Sequence, residues 1–152
     1  MCSFQPQVLV GSVSDLRRLA ELVQRRAMDL SSLDRAIFAV TRCGDQPVTD
    51  ISRVVLWQTF GVPVYEIFVG PRGVLLAWEC EAHDGWHVDP GTRFSVLKNE
   101  IMLDVPGRQP IPTGLTGSID NETCPCGCPG TRLVNVEALA LISFRRALAA
   151  TA

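Results

Sequence analysis

The spacing of apolar residues changes period along this chain, and the change divides it into predicted elements. Leu16, Leu19, Ala20, Val23 and Ala27 fall at i, i+3, i+4, i+7 and i+11, which is one face of a helix. Arg17, Arg18, Glu21, Gln24 and Arg25 lie largely off that stripe. Ser12 offers an N-cap hydroxyl with Asp15 three residues on, a relative of the capping box. Arg25 and Arg26 suit the negative end of the helix dipole. The short apolar run Gln7-Val-Leu-Val10 ahead of this helix reads as a strand.

From Ala36 to Val105 the pattern turns to short runs rich in β-branched and aromatic residues. Ala36–Val40, Arg53–Gln58, Val64–Val69 and Val74–Cys80 all read as strands. Gly70-Pro-Arg-Gly73 between the last two predicts a hairpin. Asp84-Gly85 marks a further tight turn before Trp86-His-Val88, and Phe94–Leu97 and Glu100–Val105 read as two strands or one bulged strand. Residues 106–131 carry proline or glycine at ten positions, a density incompatible with a helix interior or a central strand, so a long surface loop is expected there. A second helix is expected after it, capped by Asn135, with Glu137 in its first turn and Val136, Leu139, Ala140, Phe144, Ala147 and Leu148 as its apolar face. The reading is a single α+β domain over residues 1–152: an antiparallel sheet of about five to six strands, with an N-terminal and a C-terminal helix packed on it.

Composition changes this picture little but removes several function classes. At 47% apolar and 20% charged, the 152 residues suit one globular core. A net charge of −2 without a basic stripe argues against a nucleic-acid partner. The N-terminus lacks the basic and apolar regions of a signal peptide, and no apolar run reaches the roughly 20 residues that span a bilayer, so no membrane is expected and the cytoplasm is the expected location. The six cysteines are then expected as thiols.

Three of them concentrate the candidate chemistry. Cys124-Pro-Cys-Gly-Cys128 allows three thiolates to point into one small volume, and a metal such as zinc there would need a fourth ligand from Cys80, His83 or His87. The opening Cys-Pro-Cys-Gly resembles the start of a SEC-C zinc motif, without the later Cys-His or Cys-Cys pair. The alternative is a loop of exposed or locally paired thiols, in which a Cys124–Cys128 link can form on oxidation. Glu79–His87 gathers further titratable groups, and Cys80 near His83 suggests an activated thiol. No group that would orient a base is evident, and a solvated hairpin tip is the plain reading. Phosphate-cradling glycine loops, nucleophile elbows and His-Glu-x-x-His are absent from the sequence. No catalytic residue is assigned.

Gly73-Val-Leu-Leu-Ala-Trp78 and the segment Pro129-Gly-Thr-Arg-Leu-Val-Asn-Val-Glu-Ala-Leu139 together resemble the first immunity-protein family of bacterial polymorphic toxin systems. The cysteine loop stands outside that pattern, and the family's closing Thr-Gly, Pro and Trp are not found. The resemblance implies a protein that binds a co-encoded toxin, often a deaminase, and blocks its active site. Under it, the contact residues would be Glu79, Glu81, His83, Asp84 and Trp86 at the hairpin tip, with Asp120 and Glu122 in the loop, where acidic groups can meet a basic cleft. The alternative is a small zinc-binding or redox-responsive domain built on Cys124, Cys126 and Cys128.

Overall fold

The computed structural model describes residues 5–139. Strand β1 (Val8–Ser12) leads into helix α1 (Val13–Gln24), then β2 (Ala36–Arg42), α2 (Asp50–Phe60), β3 (Val64–Val69), β4 (Leu75–Glu79) and β5 (Trp86–Val88). After these come β6 (Phe94–Leu97), β7 (Glu100–Leu103), β8 (Ile111–Pro112), β9 (Leu115–Asp120) and β10 (Arg132–Ala138). Seven strands form one sheet in the order β1-β2-β3-β4-β5-β10-β9, and β6-β7-β8 form a second.

The class is α+β, as the sequence pattern indicates, but the main sheet is mixed. β1, β2 and β3 are parallel, whereas β3 to β5, β10 and β9 run antiparallel to their neighbours. The parallel part exists because Arg53–Gln58 is helix, contrary to the strand expected from its β-branched residues. Thr49 caps α2 by accepting a hydrogen bond from the Ser52 N–H, and Gly61 ends the helix at φ 69°. Ser52 and Leu56, four residues apart, turn inward together. A helix between β2 and β3 makes a parallel crossover, where a short turn would have made a hairpin.

Two other expectations are corrected. Residues 106–131 are not one loop, because β8 and β9 lie within them. Asn135–Ala138 belongs to β10 and does not begin a helix; the remainder of that expected helix, from residue 140, lies outside the described residues. The N-terminal helix forms where expected, with the Ser12 hydroxyl accepting from the Asp15 N–H at 3.2 Å.

Both helices cover the same face of the sheet. Leu16 and Ala20 of α1 and Leu56 of α2 pack on Ile37 and Ala39 of β2 and Val64 of β3. Farther along that face Phe68, Trp86, Ile101, Leu115 and Leu133 join the small sheet to the large one. By the period of two, Val10, Phe38, Val40, Tyr65 and Ile67 turn to the other face, where they are half-buried or exposed. Among the described residues no helix is long and apolar enough to cross a membrane.

Candidate metal centre

The β4–β5 hairpin and the cysteine loop meet beside that second face. Trp78, near the end of β4, has its ring 6.0 Å from the ring of His87 on β5, so the imidazole is held against a flat apolar wall. Cys80 follows β4 immediately and lies on the same side as Trp78. The loop between β9 and β10 returns over this pair because β10 hydrogen-bonds to β5, pairing Arg132 with His87 and Leu133 with Trp86. Prolines and glycines then let the loop reverse sharply. Its turn is closed by the Gly127 N–H donating to the Cys124 carbonyl at 2.8 Å and the Cys124 N–H to the Cys128 carbonyl at 3.3 Å.

These constraints bring Cys80, His87, Cys124 and Cys126 together, with one donor atom of each within 4.8 Å of all the others. The Cys80 and Cys124 sulfurs are 3.6 Å apart, and Cys126 Sγ is 3.5 Å from His87 Nε2. Ideal tetrahedral zinc bonds place sulfurs about 3.8 Å apart and sulfur and nitrogen about 3.6 Å apart. Three sulfurs and one imidazole nitrogen therefore stand at tetrahedral spacing, with Cys124 and His87 buried. The set can hold a metal ion that prefers soft ligands.

The thiol environments differ. Burial pushes Cys80 up to about 11. Cys126 is lowered, first because the Cys128 N–H donates to its sulfur, at 3.4 Å. Such an N–H···S bond favours the thiolate, the form that binds a metal. Cys128 is raised, first by its contact with the Cys126 side chain.

The cysteine loop thus supplies two ligands, Cys124 and Cys126, and the hairpin supplies Cys80 and His87. Cys128 stands outside the group, exposed to solvent. His83 is not a ligand: it adopts φ 49°, stacks on Tyr65 and lies 2.9 Å from Glu79 through Nδ1. The signal for the complete set was the pair Cys80 and His87, close in sequence and on adjacent strands; the hairpin register alone decides which histidine faces the loop.

The seven residues expected at a partner surface are dispersed into different roles. Trp86 is core. Glu79 is buried, accepting two hydrogen bonds from Arg53 at 3.0 Å each and one from the Glu66 N–H at 2.9 Å. Asp84 and Asp120 both bind the buried Arg132, at 2.8 and 2.5 Å. Asp120 is held below the usual carboxylate range, first by the Glu122 N–H and then by Arg132. Glu81 and Glu122 are exposed. Beside Glu79, the buried Glu66 accepts from the Thr41 hydroxyl and, at 2.9 Å, from the Val48 N–H; burial is the first cause of its raised pKa.

No protein-family model matches the sequence, and no curated protein does. Solved structures do match in shape. 2-Hydroxyisobutyryl-CoA ligase, in an open conformation with 2-HIB-AMP and CoA, superposes at a TM-score of 0.67 and 16% identity, over 85% of this chain and 32% of that one. Coronafacic acid ligase from Pectobacterium brasiliense gives 0.54 at 13% identity, over 85% and 29%. The acyl-CoA synthetase (AMP-forming)/AMP-acid ligase II-like protein from Dyadobacter fermentans DSM 18053 gives 0.52 at 13% identity, over 97% and 44%. The likeness is one of fold. This chain spans about a third of the length of the first of these ligases.

Proposed function

We propose that this chain is a zinc-stapled α+β domain in which the metal joins the β4–β5 hairpin to the loop between β9 and β10. The observation that supports it is the grouping of Cys80, His87, Cys124 and Cys126 within 4.8 Å. Four protein ligands fill a tetrahedral shell and leave no position for water or substrate, so the role is structural. Elemental analysis of protein purified without chelators tests this. One equivalent of zinc is expected, lost in Cys124→Ala and His87→Ala; protein free of bound metal under reducing conditions overturns it.

A second reading draws on the fold comparison. The chain matches acyl-CoA ligases over most of its length, and it would serve as a substrate-handling part of a ligase of that kind. ATP-dependent formation of a CoA thioester from a short-chain acid tests it, and no turnover by this chain joined to its native neighbouring sequence would remove it. A third reading, of a different class, is the toxin-neutralising protein that the immunity-family resemblance implies. The apolar sheet face carrying Val10, Phe38, Tyr65 and Ile67 supports a protein partner. Co-expression with the neighbouring gene product, followed by failure to recover an equimolar complex, would count against it.

A further inference from the structure

We propose that Cys128 is a peroxide-reactive thiol that, once oxidised, captures Cys126 from the metal set and releases the ion. The inference rests on the metal reading and adds regulation of the same site. Cys128 is exposed, whereas the four ligands are buried or half-buried. It lines an open cleft of about 480 Å³ together with Trp78, Cys80, His87 and Thr131, so small solutes reach it directly. Its backbone N–H lies 3.4 Å from Cys126 Sγ, with only Gly127 between the two residues. A spare thiol therefore borders a complete ligand set at the point where that set opens to solvent.

The chemistry balances with hydrogen peroxide as the named oxidant. The Cys128 sulfur attacks one peroxide oxygen, the O–O bond breaks, and water leaves with the thiol proton, giving a sulfenic acid. The Cys126 thiolate then attacks that sulfur; the S–O bond breaks, hydroxide departs and takes up a proton, and an S–S bond forms. Two thiols have lost two electrons and one peroxide has become two waters. The metal keeps Cys80, His87 and Cys124, and three ligands hold it far less tightly than four. Thiol reductants reverse the disulfide and restore the site. Gly127 at φ 83° gives the backbone the freedom to bring the two cysteines together.

The test uses zinc-loaded full-length protein and its Cys128→Ser variant, each treated with hydrogen peroxide beside a chromogenic zinc chelator. Zinc content before oxidant reports the metal reading by itself: without bound zinc in the wild type, that reading fails and this proposal falls with it. Given one equivalent in both proteins, wild type should release zinc with appearance of a Cys126–Cys128 disulfide in peptide mass spectra. The variant should release it slower by about tenfold or more. Equal release rates overturn the proposal alone, as does disulfide formation with zinc retained. Loss of zinc from the untreated variant would make Cys128 a ligand and also overturn it. Circular dichroism of the variant separates that result from misfolding.

Discussion

Zinc should raise the unfolding temperature of this protein, and the size of the effect follows from how the ligands are held. The Cys80–Cys124 pair bridges 44 residues. Closing a loop of that length in a disordered chain costs about 3.4 kcal/mol. Here β9 and β10 already bear that cost, because they fix both ends of the cysteine loop against β5. The ion meets donors already in place, and its binding energy appears as stability. Each tenfold rise in free zinc above the Kd then adds about 1.4 kcal/mol, so 1,000-fold excess adds about 4 kcal/mol. At roughly 2–4 °C per kcal/mol for a chain of this size, the Tm should climb by about 8–16 °C over that range. Calorimetry in metal buffers with thiols kept reduced measures this, and Trp78 fluorescence gives a second readout because its ring stacks on His87. His87→Ala should flatten the dependence. A wild-type Tm that does not move over three decades of free zinc refutes the reasoning.

Glu66 predicts a pH effect of defined sign. Its folded pKa lies above the ordinary 4.5, so the native state holds the proton more tightly and stability falls as pH rises from about 4.5 through the raised folded value. Glu66→Gln should remove that slope in denaturant titrations, and a slope unchanged in the variant would point to another group. Glu79→Ala strips Arg53 and the Glu66 N–H of their acceptor and should cost about 2–4 kcal/mol in urea unfolding; a loss below about 1 kcal/mol would mean solvent replaces the pair. Gly85→Ala should destabilise strongly, since the residue sits at φ 83° and an added Cβ would lie 2.5 Å from the Leu133 carbonyl oxygen. A Tm equal to wild type would show that the β5–β10 contact relaxes freely.

Legibility in the sequence varied with how local each determinant is. Helix α1 could be read because Ser12, Asp15 and the apolar stripe act within one segment, and the β3–β4 and β6–β7 hairpins because their strands are neighbours. Helix α2 was missed because its interior is β-branched and its signals sit at its ends, Thr49 and Gly61. β9 was hidden among glycines: Gly117, at φ 154°, lies where a Cβ would meet the Val134 carbonyl oxygen at 2.9 Å, so the residue that looks like a loop former is what lets β9 approach β10. The cysteine loop drew attention by composition. Its partners Cys80 and His87 depend on register across β4, β5 and β10, which no local pattern encodes.

The position of β10 has a consequence in time. This strand is the last of the described chain to leave the ribosome, yet it lies between β5 and β9, both made earlier. Until residues 132–138 emerge, the edge of β5 and one edge of β9 stay unpaired, and Arg132 cannot yet join Asp84 to Asp120. A nascent chain stalled before that point carries two open strand edges and a half-built cysteine cluster, a state prone to pairing with other chains. Release of the final strand acts as a zip closing the sheet from within, and chains cut short of it should be recognised by cellular quality control as unfinished.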